Sequence, residues 1–177
     1  MKERSALLLL GAWVMGSLVL LVVAPTNFRL IDELLAHSDN ASFRALVERV
    51  GHHEARELLR YLASELNRKF FLLWNMAQLA IAVALVAFSR PLPGGRRVRG
   101  ALLTAVALVV LLLALQPMIT SLGRSLDFVP REPPPPELAR FQMLHVAYTV
   151  IELVKLVCAG LAGFWLLRAE PAGSPAQ

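Results

Sequence analysis

Apolar residues along this chain gather into four long runs, Ala6–Ala24, Phe70–Phe88, Ala101–Leu122 and Met143–Leu167. Each approaches or exceeds the ~20 residues that carry a helix across a bilayer core. No water in that core satisfies backbone N–H and C=O groups, so each run must close its own hydrogen bonds as a helix. The pattern predicts an all-α membrane protein: an antiparallel bundle of four transmembrane helices, one domain over residues 1–177. Longer loops, 25–69 and 123–142, alternate with one short loop, 89–100, and with the two terminal segments.

The first loop has a period of its own. Phe43, Leu46, Val47 and Val50 recur at helical spacing, Gly51 interrupts, and Leu58, Leu59, Leu62, Leu66 and Phe70 form a second stripe. An extra amphipathic helix is therefore expected here, lying on the membrane surface or over the bundle mouth and running on into span two. Ser38 or Asp39 is expected to cap its first piece. Gly11, Ala12 and Gly16 in span one are expected to let a neighbouring helix approach, and Pro25 to mark that span's end. Prolines 133–136 form a stiff spacer, with a ligand for a proline-binding domain as the sharper reading. The segment 170–177, small and polar, is expected to be disordered.

Charge then orients the bundle. The formal net charge is +5. The loop 89–100 holds Arg90, Arg96, Arg97 and Arg99 with no acid, whereas acidic and basic residues balance in 25–69 and in 123–142. Short loops rich in Lys and Arg stay cytoplasmic, so both termini are expected in the cytoplasm and the two longer loops outside. The positive charge thus reports topology, and no nucleic-acid partner is expected. The first run reads as a retained span: its 19 residues exceed the ~7–15 of a signal-peptide core, and Pro25 follows it directly.

Candidate chemistry is confined to polar positions inside the runs. His145, Tyr148, Glu152 and Lys155 follow one another at spacings of three, four and three, one stripe on span four. Glu152 and Lys155 can pair on that helix, which offsets the ~3 kcal/mol or more that an unpaired charge costs at mid-membrane. Span two offers Trp74, Asn75 and Gln78, and span three Gln116, Pro117 and Thr120. In the predicted orientation all of these fall in the outer half of the membrane, while the inner halves are almost purely apolar. Glu152, Lys155, Asn75, Gln78, Gln116, His145 and Tyr148 are therefore the expected ligand-binding residues of an outward-facing polar pocket for a small solute, an ion or a lipid head group. For the amides alone, helix-to-helix hydrogen bonding is the plainer reading. Pro117 is expected to open the helix ladder and free a carbonyl. Arg68, Arg124, Asp127 and Arg131, near the ends of spans two and three, are expected to pair with carboxylates into a lid over the pocket.

Several classes recede. A single cysteine, Cys158, allows no intramolecular disulfide and no Cys/His zinc site. Adjacent His52, His53 and Glu54 point apart on a helix, so no metal is expected. With only His145 in a span, no bis-histidine haem is expected either, and no cofactor is assigned. No Gly-rich phosphate loop, serine elbow or HExxH pattern appears, and no catalytic residue is named. Asn40-Ala41-Ser42 fits a glycosylation sequon, a match short enough to arise by chance. The rival to a pocket is an assembly subunit packing against a larger complex or a second copy, with Trp13, Trp165, Gly160 and Gly163 facing the partner.

Gly11-Ala12-Trp13-Val14-Met15-Gly16 with Val23-Ala24-Pro25-Thr26-Asn27-Phe28-Arg29, and Phe141-Gln142-Met143-Leu144-His145, resemble the first and last spans of the four-span domain of unknown function 4149, related to the transmembrane protein 205 group. Arg60–Arg68, Gly123–Arg131 and Glu152-Leu153-Val154-Lys155 resemble segments of uncharacterised bacterial membrane proteins. The resemblance implies a four-helix protein of the bacterial inner membrane and implies no reaction.

Overall fold

A computed structural model describes residues 3–87, 95–130 and 132–168. The predicted turn at 89–94, Arg131 and the segment 170–177 lie outside the described residues. Among those described there are five helices and no strand: α1 (Glu3–His37), α2 (Ala41–Val50), α3 (His52–Ala87), α4 (Gly95–Ser125) and α5 (Pro136–Arg168). Four of them, α1, α3, α4 and α5, are long and apolar enough to cross a membrane. Large apolar side chains cover the outer surface of all four, among them Leu8, Leu73, Val110 and Leu167. A band of this kind needs lipid as its solvent, so the chain is a multi-pass membrane protein.

The four long helices close a ring in which α1 packs on α3, α3 on α4, α4 on α5 and α5 on α1. The α4–α5 seam is the most extensive and the α1–α5 seam the slightest. One end of the ring is a solid apolar core. Ala6, Leu10 and Trp13 of α1 meet Ala82 and Leu85 of α3, Val98, Leu102, Ala105 and Val109 of α4, and Ala159, Ala162 and Leu166 of α5. Alanine at five of these positions lets backbones approach closely, the usual source of helix attraction where lipid removes the water-driven term. The close approach expected at Gly11 and Ala12 does not occur: both are exposed, and nothing lies within 4 Å of a Cβ built on Gly11. Gly16 does serve, since the Trp74 ring lies where its Cβ would be.

Helix ends differ from expectation in instructive ways. Pro25 does not end the first helix, which continues to His37. Two side-chain bonds flank the proline: Thr26 Oγ1 donates to the Val22 carbonyl at 2.8 Å, and Asn67 Nδ2 donates to the Ala24 carbonyl at 3.0 Å. The cap of α2 is Asn40, not Ser38 or Asp39; its Oδ1 accepts from the Phe43 amide at 3.0 Å. Gly51, at φ 101°, makes the break between α2 and α3, a conformation open to glycine. From His52 the helix then runs unbroken through the polar segment into the apolar run, as the continuous stripe predicts. Helix α4 passes straight through Pro117. Pro136 occupies the first position of α5, where a missing N–H costs nothing.

Candidate functional site

Each long helix is layered in the same order. Apolar core residues occupy one end, a row of buried polar groups follows, and a cavity opens beyond it. The polar row is built around Lys155, which is fully buried. Its ammonium group has three donors, and three acceptors meet it: Glu152 Oε1 one turn back on α5, Gln78 Oε1 on α3, and Ser17 Oγ on α1 at 3.2 Å. The Trp13 ring lies 5.8 Å from the same nitrogen. Gln78 Oε1 also accepts from Trp13 Nε1 at 3.0 Å, and Ser17 Oγ from Trp74 Nε1 at 3.1 Å.

From Gln78 the network crosses the bundle. Its Nε2 donates to Asn75 Oδ1 at 2.6 Å, and Asn75 Nδ2 donates to Gln116 Oε1 on α4 and lies 2.8 Å from the Tyr148 hydroxyl on α5. Gln116 Nε2 in turn donates to the Arg68 carbonyl at 3.3 Å. Every one of the four long helices contributes to this row. In a low-dielectric interior such a satisfied network rigidifies and fixes one packing.

One atom is left out. Among the described residues Glu152 Oε2 is the buried side-chain oxygen or nitrogen with no hydrogen-bond partner. Glu152 is also where the row meets the cavity, a space of about 440 Å³. That volume lies in the range of small-molecule sites. Glu152, Tyr148 and His145 line it from α5, Gln116 and Thr120 from α4, Asn67 and Arg68 from α3, and Ser17 from α1. Leu20, Leu21, Phe28, Phe71, Ile119, Leu153 and Leu156 supply apolar wall.

At the far edge of the cavity, ion pairs join α3 to the end of α4. Arg68 binds Asp127 through both terminal nitrogens, at 2.9 and 3.1 Å, and reaches Glu65 at 2.7 Å. Arg124 binds both oxygens of Glu65 at 3.0 Å. Such forked pairs are the strong form of charge-assisted bond. Hydrogen bonds from Arg124, then Arg68, hold the Glu65 carboxyl at a pKa of about 2, below its ordinary 4.5. Partial burial opposes the Arg68 charge, yet its bonds to Asp127 and Glu65 prevail and raise its pKa. Gly123 leaves the room: a Cβ there would lie 3.2 Å from Arg68 Nη2 and 3.3 Å from the Phe141 ring.

The expected residues therefore divide. Glu152, Gln116, Tyr148 and His145 line the cavity, as does Arg68. Lys155, Asn75 and Gln78 lie behind its wall, fully buried and engaged with one another's neighbours. Arg124 and Asp127 join the ion-pair cluster without lining the cavity, and Arg131 lies outside the described residues. No residue of α2 lines the cavity. Trp13, offered above as partner-facing, is instead buried at the centre of the network, and Gly160 is exposed. Sequence reasoning missed Trp13 and Ser17 as network members, although their spacing of four on one helix face was legible. Asn67, which accepts from Asn27 Nδ2 at 2.7 Å, precedes the apolar run, so hydropathy places it at the mouth of span two and gives no sign of its partners.

No family model, no curated protein and no solved structure matches this chain.

Proposed function

We propose that this protein is a non-enzymatic four-span membrane protein, packed antiparallel, that holds a small molecule in the cavity beside Glu152. The observation that carries the reading is the layering: one end of the bundle is packed solid, while the other encloses about 440 Å³ beside a carboxylate with an unused oxygen. Binding of a small solute, an ion or a lipid head group is the chemistry that such a space supports. On the charge distribution, the cavity end faces out of the cell and both termini lie in the cytoplasm; that the membrane is the bacterial inner one is what the resemblance implies. The resemblance to domain of unknown function 4149 belongs to the same proposal. The paired arginines over the cavity act as its lid.

The test is native mass spectrometry of the protein from membranes. The account expects a co-purifying small molecule, lost in Glu152→Gln/Lys155→Met, which removes both charges together and keeps size. Recovery of the same mass from the double variant contradicts the reading. A second reading, an assembly subunit, is favoured by the exposed stripe of Leu46, Val50, Leu58 and Leu62 on α2 and the first turns of α3. It predicts a co-purifying protein that Leu58→Ser/Leu62→Ser releases and the charge-removing variant does not. Here α2 is the extra amphipathic helix, lying on the outer membrane surface.

A further inference from the structure

The seam between α1 and α5 is the slightest of the four that close the ring. The single hydrogen bond between α1 and α5 among the described residues is Lys155 to Ser17. Beyond that level, toward Pro25 and Phe141, polar contacts between the two helices stop and the cavity begins. Two residues lining the cavity there, Leu21 of α1 and Leu153 of α5, also lie on the lipid-facing surface, 46% and 47% exposed. Leu20 and Leu156 continue the apolar wall inward from them. The path from bilayer to cavity thus runs between two helices and is apolar until it reaches the polar row.

At its inner end stand a donor and an acceptor. Glu152 Oε1 and Ser17 Oγ share the Lys155 ammonium, so the two side chains are neighbours on one nitrogen. Glu152 Oε2 has no donor. Its terminal torsion is soft, so a small turn of the carboxyl group presents that oxygen to the cavity. Ser17 Oγ accepts from both Lys155 and Trp74, which leaves its own hydrogen to give. One hydroxyl group can donate to the first and accept from the second.

Charge narrows the ligand. Glu152 is matched by Lys155, and Arg68 and Arg124 by Glu65 and Asp127. Among the described residues lining the cavity, Glu152 and Arg68 are thus already paired, and a second ion would find only the His145 imidazole to compensate it. We infer that the site takes an uncharged single-chain amphiphile with a hydroxyl head, admitted from the bilayer between α1 and α5. Its hydroxyl lies between Glu152 and Ser17 and its chain along Leu20, Leu21, Leu153 and Leu156. This rests on the binding reading above and adds the ligand's class and route.

The test uses photolabelling of the protein in lipid nanodiscs with three probes of equal chain length, each carrying a diazirine: hexadecanol, palmitic acid and hexadecylamine. The alcohol is expected to label the segments 20–28 and 149–156 about tenfold more than either charged probe, and unlabelled hexadecanol to compete. Ser17→Ala should lower that labelling about tenfold, the loss of roughly one hydrogen bond. Leu21→Trp/Leu153→Trp, at two cavity-lining positions that are each about half exposed, should abolish it while the protein stays folded. Equal labelling by all three probes, labelling spread evenly over the four helices, or insensitivity to the tryptophan pair overturns the inference. The same preparations also report whether Thr149→Cys, in a Cys158→Ala background, reacts with a water-soluble thiol reagent. Reaction without alcohol labelling sinks this inference and leaves the binding cavity standing. Absence of both sinks the two together.

Discussion

At the scale of single residues, Lys155 and Glu152 divide the work unequally. All three Lys155 donors are used inside the protein, so Lys155 organises the bundle and offers nothing to a ligand. Glu152 keeps one oxygen in hand at the cavity wall. The two should therefore respond differently to substitution. Lys155→Met leaves Glu152, Gln78 and Ser17 without their common donor and strands a carboxylate. A loss of about 3–5 kcal/mol follows from breaking such a pair on one side. Glu152→Gln/Lys155→Met, which strands no charge, should recover much of that loss. Thermal melting of the detergent-solubilised variants checks this; a double variant no more stable than Lys155→Met contradicts it.

At the scale of elements, the joint between α3 and α4 is an electrostatic clamp, and its pH dependence has a defined sign. Glu65 titrates at about 2 when folded, against an ordinary 4.5, because Arg124 and Arg68 bind its charged form. A carboxyl with a lowered folded pKa contributes stability that is present above the unfolded value and lost as pH falls through the folded one. The melting temperature of Glu65→Gln should therefore lie below that of the unaltered protein near pH 7. The gap should close between about pH 4.5 and about pH 2. A gap that persists at pH 2 would show that Glu65 acts through shape instead of charge. At this scale too, Gly51 explains why α2 ends where it does.

At the scale of the whole molecule, the layering was partly legible in the sequence. Hydropathy marks the four spans, and the polar residues of spans two, three and four fall at matching depths. The break at Gly51 and the continuity of α3 were visible in the spacing of apolar residues. What hydropathy does not carry is partner choice. Asn75, Gln78 and Gln116 have polar neighbours both within the row and at the cavity, and only the ring order of the helices decides which they face. Trp13 reads as an apolar residue of a lipid-exposed span until Gln78 is brought opposite its indole nitrogen. Pro25 reads as a stop because its local effect is disruptive, yet the helix runs on to His37, and the Ala24 carbonyl beside the proline is bound by Asn67, far along the chain.

One end of the bundle is hollow and the other is packed; in the proposed orientation the hollow end faces out of the cell. Thiol accessibility measures it most directly. In a Cys158→Ala background, Thr149→Cys places a thiol on the cavity wall and Ala162→Cys places one in the apolar core. A membrane-impermeant methanethiosulfonate reagent is added to spheroplasts of a bacterial host. The account predicts rapid modification at position 149 and none at 162 until the protein is denatured. Equal rates at the two positions, or reaction at 162 alone, would contradict it.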